Sequence, residues 1–197
     1  MTTTGKDQLE GGRLRVRFVP CADRILHEVS VKRHGGWDAV LTSVEGDPSQ
    51  DWPPSPPLQS LHIERPPGEH ERALLVGMAG RSHWSASVML DVHTSRLRFD
   101  IACRVPGGVT ARLGVTYRSN WPVVLRDKQQ ALLSHPTGSN SPKLLIEADP
   151  LYAGTRIEPT ADEILILAGD MAPIEASHTI RWGYTIAAAP TIAEDML

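Results

Sequence analysis

Short runs in which apolar and polar residues alternate, each closed by Gly, Pro, Asn or Asp, recur from one end of the 197-residue chain to the other. Successive side chains on an extended backbone point to opposite faces, so this two-residue period predicts half-buried antiparallel strands and few or no helices. In RLRVRFV, Leu14, Val16 and Phe18 share one face while Arg13, Arg15 and Arg17 share the other. That arginine row is a basic row that could face a ligand, and an edge strand whose charge discourages aggregation explains it at least as well. Further strands are predicted over 24–32, 37–45, 58–64, 72–78, 82–90, 96–105 and 111–118, then over 143–149, 155–158, 163–168 and 177–187. So many strands in one open sheet would leave a long apolar face wet, which predicts an all-β, antiparallel two-sheet β-sandwich. The length suits a single domain over 1–197, with residues 1–11 as a flexible tail.

Some segments break the pattern. The unbroken apolar run Ile164 to Leu167 predicts a central strand covered on both faces. RDKQQALLS, residues 126–134, has the composition of a short helix. The proline-rich stretches 47–57 and 65–71 are predicted to be loops, because proline donates no ladder hydrogen bond. WPPSPP also has the composition of a polyproline ligand.

One hairpin can be placed in register. If 82–90 turns through 92–95 and pairs with 96–105, Leu90 opposes Leu97, Val88 opposes Phe99, Ala86 opposes Ile101 and Trp84 opposes Cys103, all on one apolar face. The reverse face then sets His83 against Arg104, Ser87 against Asp100 and Met89 against Arg98. Trp84 is a core residue on this register. Arg81, His83, Asp100 and Arg104, with Ser85 and Ser87, form a polar ribbon suited to a polyhydroxylated or anionic small ligand. A plain solvated sheet face is the alternative.

Composition narrows the function classes. With 41% hydrophobic and 22% charged residues the chain should fold by itself. A net charge of -3 gives no electrostatic case for nucleic acid or a membrane surface. No apolar h-region or membrane span is present, so a cytoplasmic protein is expected. Cys21 and Cys103 stand far apart and are expected to be buried thiols, and the eight histidines fall into no metal-binding spacing, so no metal and no cofactor are expected. GxSxG, GxGxxG and GxxxxGK are absent. Asp170 in AGDMAP and His178 at the head of the last strand read as turn and boundary residues.

HWSASVML followed by LRFDIACRV, SHPTGSN at 134–140, and RIEPTADEILILAGD leading into SHTIRWGYTIA come in an order that resembles the galactose mutarotase-like superfamily of sugar-binding β-sandwich domains. The resemblance implies a supersandwich and a carbohydrate ligand. In catalytic members a carboxylate and a histidine flank one hemiacetal as base and acid, roles that would fall to Glu158 and His135. His135 is followed by Pro-Thr rather than by Pro and an aromatic, and the chain is shorter than a complete epimerase of this kind. The leading expectation is therefore a domain that binds a carbohydrate or similar polar molecule without efficient catalysis. A sugar epimerase using His135 and Glu158, and a protein-interaction or structural module, with a homodimer as one form of it, are the alternatives.

Overall fold

The computed structural model describes residues 5–68, 70–108, 112–137, 141–160, 162–169 and 176–189. In chain order the strands are β1 (Gln8–Gly11), β2 (Leu14–Cys21), β3 (Arg24–Arg33), β4 (Gly36–Ser43), β5 (Leu58–Glu64), β6 (Arg72–Ala79), β7 (Ser82–Asp91) and β8 (Arg96–Val105). There follow β9 (Gly114–Ser119), β10 (Val123–Asp127), β11 (Gln130–Ser134), β12 (Lys143–Ala148), β13 (Arg156–Pro159), β14 (Glu163–Leu167) and β15 (His178–Ala189). They form two antiparallel sheets, one of seven strands in the order β1-β2-β3-β4-β9-β14-β13 and one of eight in the order β10-β11-β12-β15-β8-β7-β6-β5. The chain is thus an all-β two-sheet sandwich, and no helix among the described residues could cross a membrane.

The inward face of each strand follows from its alternation. Leu14, Val16 and Phe18 of β2 and Leu144 and Ile146 of β12 enter one core, with Trp182, Tyr184 and Ile186 of β15 at its centre. The β7–β8 hairpin has the predicted register, Leu90 opposite Leu97 through His83 opposite Arg104. Trp84 is buried, 3% exposed, and its indole N–H donates to Ser82 Oγ at 2.8 Å.

Several expectations are corrected. Residues 8–11 are not tail but β1, paired with β2, because Leu9 buries completely opposite Val16. β2 is accordingly no edge strand. Its arginines are neutralised along the sheet, Arg17 by Glu28 at 3.7 Å and Arg15 by Glu10 at 4.0 Å, with the Arg15 guanidinium 4.8 Å over the Trp37 ring. Residues 126–134 are not helical: Asp127 Oδ1 accepts from Gln129 N at 2.7 Å and turns β10 into β11, whose Ala131 and Leu133 face inward. β14 is next to the edge strand β13 and leaves Leu165 half-buried, so Ile164–Leu167 is not covered on both faces. Cys21 is exposed and only Cys103 is buried. Asp170 and part of the SHPTGSN segment, residues 138–140, lie outside the described residues.

The proline stretches are loops, and the first is a structural plug. Pro53, Ser55, Pro56 and Pro57 are buried, Ser55 Oγ donates to Thr116 O at 3.2 Å, and Gly77 has no room for a side chain because the Pro57 carbonyl lies against it. A segment so enclosed presents no polyproline surface to a partner. Arg24, 3% exposed, anchors the start of the plug by donating to the carbonyls of Glu45, Asp47 (3.0 Å) and Gln50 (3.5 Å).

Candidate functional site

The outward residues of the eight-stranded sheet fall into rows that cross it strand by strand. One row runs Glu64, Arg72, Met89, Arg98, Thr185, Glu147, Gln130, and the next runs His62, Leu74, Ser87, Asp100, Gly183. A third holds Ser60, Val76, Ser85, Ala102 and Arg181. Serine, alanine and glycine along β7, β8 and β15 keep the middle of this face low.

Met89, Arg98, Thr185 and Glu147 of the first row line a cleft of about 480 Å³ together with residues 148–151 and His70. Its charges are paired. Arg98 Nη2 lies 3.0 Å from Asp149 Oδ2, and Arg96 Nη1 lies 3.5 Å from Glu147 Oε2. The carboxylates are also held from behind: Leu151 N donates to Asp149 Oδ1 at 3.0 Å, and Gln130 Nε2 to Glu147 Oε1 at 3.0 Å. Asp91 stands at the rim, where its oxygens accept from His93 N, Thr94 N and Thr94 Oγ1. The Thr94 bonds hold its carboxyl below the usual range. Met89 and the outward Leu151 supply apolar surface.

Gly183 shapes the neighbouring wall. Its carbonyl accepts from Asp149 N at 2.9 Å, and the Tyr152 ring lies directly on its α-carbon. Tyr152 Oη donates to Asp100 Oδ2 at 2.8 Å, and Arg181 Nη2 donates to both Asp100 oxygens at 3.0 and 3.1 Å. Burial, then the Asp100 carboxylate, raise the Tyr152 phenol above its ordinary range. A Cβ at 183 would stand 2.7 Å from Tyr152 Cε2 and 2.9 Å from the Phe99 carbonyl. Gly183→Ala is expected to lift Tyr152 off Asp100 and to cost about 1–3 kcal/mol. Chemical denaturation together with ultraviolet titration of the phenol checks this, and a variant with unchanged stability and titration would contradict the packing.

The residues singled out from sequence divide. His83, Asp100 and Arg104 lie on this outer face as the register required, with Arg81 in the turn before them; Asp100 stands in the row next to the cleft, and Arg81, His83 and Arg104 toward the opposite end. Asp100 is committed to Arg181 and Tyr152, whereas Arg81, His83 and Arg104 are exposed. His135 and Glu158 are not brought together. His135, just beyond β11, bonds Arg33, lies 3.6 Å from Asp38 Oδ2 and packs edge-on against Trp121. Glu158, on β13, accepts from Arg112 at 2.9 Å and Arg156 at 2.7 Å. Their side-chain partners above are different residues. The cleft residues Arg96, Glu147, Asp149 and His70 escaped sequence reading; the only signal was the Met89–Arg98 pair, whose continuation into β15 and β12 depends on strands distant in the chain.

A second polar cluster is sealed between the sheets. His27 Nε2 is hydrogen-bonded to Tyr117 Oη, which is 2.6 Å from Tyr184 Oη, and Phe99 stacks on the Tyr184 ring at 4.6 Å. His27 N donates to Ser43 Oγ at 2.9 Å, and Ser43 Oγ donates to Glu45 Oε1. Burial pushes the His27 imidazole down to about 3 and the Glu45 carboxyl up to about 7, the latter opposed by the Ser43 bond and by Arg24. Both phenols are raised by burial. Its members are buried, both tyrosines completely. His27 was legible as an inward position, since it keeps step with Val29 and Val31.

Compared with known proteins, the chain matches no protein-family model, and no curated protein was found as a relative.

Proposed function

We propose that this protein binds a polyhydroxylated small molecule, a carbohydrate, in the cleft on the outer face of its eight-stranded sheet, and that it does not turn the ligand over. The observation that carries the reading is the side-by-side setting of donor and acceptor on the floor, Arg98 with Asp149 and Arg96 with Glu147. A hydroxyl both donates and accepts, so a guanidinium next to a carboxylate satisfies it twice. An anionic ligand would meet three carboxylates, Asp91, Glu147 and Asp149, against two guanidiniums. Met89 and Leu151 suit the C–H faces of a sugar ring. The groups are fixed by bonds made without ligand, which lowers the ordering cost of binding. The volume lies within the range of about 300–1,000 Å³ usual for small-molecule sites.

Ring-opening chemistry needs an acid and a base flanking one bond, and the separate anchoring of His135 and Glu158 supports binding over epimerisation. Calorimetric titration with a panel of mono- and disaccharides tests the proposal. A saturable heat is expected, weakened about tenfold or more in Arg98→Gln and little changed in Arg104→Gln. Indifference to every sugar, or an Arg98→Gln protein that binds as the natural one does, overturns it.

A further inference from the structure

We infer that a second cleft, at the β3–β4 hairpin, binds a phosphate-bearing small molecule. The cleft, about 460 Å³, is lined by Arg13, Lys32, Arg33, His34 and Pro142. No carboxylate is among these residues, in a chain whose net charge is -3. The contrast with the first cleft is one of sign: there guanidiniums and carboxylates stand side by side, here every charged lining side chain is a base. Like charges gathered around one concavity repel each other and focus a positive potential into it, and an oxyanion placed between them relieves the repulsion.

The lining is built rather than loose. Lys32 N donates to Arg13 O at 2.9 Å, Arg13 N donates to Ser95 Oγ at 3.1 Å, and Arg13 Nη1 donates to Ala189 O at 3.2 Å, so β2, β3 and the end of β15 meet here. Arg33 is oriented by the His135 imidazole and by Asp38, 3.4 Å away. Asp38 in turn accepts from Trp121 Nε1 at 3.3 Å, which holds that carboxylate behind the arginine and out of the cleft. The side chains of Lys32 and His34 have no hydrogen-bond or ion-pair partner among the described residues. His34 and Gly35 form the hairpin turn, with Gly35 at a φ of 103°, and Lys32, Arg33 and His34 line the same cleft. A guanidinium, an ammonium and an imidazole lining one cleft offer donors for the three acceptor oxygens of a phosphate, one more than a carboxylate has.

Inorganic phosphate is the probe. Titrated into ¹⁵N-labelled protein at constant ionic strength, it is expected to shift the amides of Arg13 and of Lys32 to Gly36 saturably, with acetate shifting them less and chloride hardly at all. Lys32→Gln combined with His34→Gln, both exposed and free of internal bonds, is expected to fold normally and to weaken binding about tenfold or more. Shifts that never saturate, that chloride reproduces, that centre on Arg96 and Arg98, or that survive the double variant would overturn the inference. Shifts centred on Arg96 and Arg98 would also count against the sugar reading, while the other outcomes leave that reading, tested through Arg98→Gln, untouched.

Discussion

Replacing Glu45 by glutamine is expected to make the protein more stable than the natural chain at mildly alkaline pH, by about 3 kcal/mol. The carboxyl is buried, 7% exposed, and one of its oxygens, Oε2, has no hydrogen-bond partner among the described residues. Its folded-state pKa of about 7 lies above the ordinary 4.5, so the folded chain holds this proton longer than the unfolded chain does. The stability associated with the proton is complete below 4.5, declines as pH rises toward 7 and is gone above it. Glutamine removes the decline.

His27 works in the opposite sense. Its folded pKa of about 3 lies below the ordinary 6.5, so its contribution is complete above 6.5 and is lost as pH falls toward 3, to a total of about 5 kcal/mol. Between 4.5 and 6.5 the two slopes cancel. Urea denaturation across this range is therefore expected to show little dependence from the pair in the natural protein. A steady loss on acidification should appear in Glu45→Gln, and the reverse slope in His27→Gln. Parallel pH profiles for all three proteins would refute the buried-pair account.

Arg24→Met is expected to be the more damaging substitution, costing about 3–5 kcal/mol. Arg24 donates to three carbonyls of the plug, from Glu45, Asp47 and Gln50, and is the cation nearest the buried carboxyl. Methionine fills the space but takes the donor from the buried Glu45 carbonyl and unties the loop at Asp47 and Gln50, and a buried polar group stripped of its partner bears the full cost of desolvation. Arg24→Lys keeps the charge on a single nitrogen that cannot span three acceptors, and should fall between the two. Limited proteolysis within 44–57 reports the local effect. In Arg24→Met cleavage there should precede global unfolding, and a loop as resistant as the natural one would show that Arg24 is not its anchor. The two predictions are linked, since losing Arg24 removes a charge that lowers the Glu45 pKa.

The alternation of side chains carried a long way. It placed Trp84 inward and His83 outward and set the β7–β8 register residue by residue, because a one-residue slip would have put Val88, Phe99 and Leu90 in water. It failed where two signals competed. At 126–134 helix-forming composition masked an Asp127 turn, and at Ile164–Leu167 an apolar run suggested a central strand where the structure has a neighbour of the edge. It was silent on Leu9, whose burial depends on a partner strand rather than on a period of its own.

Local periodicity and turn chemistry, acting between chain neighbours, were enough to determine that this chain pleats into hairpins with one oily and one polar face. Which hairpins lie side by side was decided only in three dimensions: β15 inserts between β8 and β12, and β9 between β4 and β14. Arg98 thereby meets Asp149, Arg13 meets the end of β15, and His27 meets Tyr117 and Phe99. These contacts join residues far apart in the chain, and their partners are selected by how two sheets bury a shared core, a quantity that no short window of sequence contains.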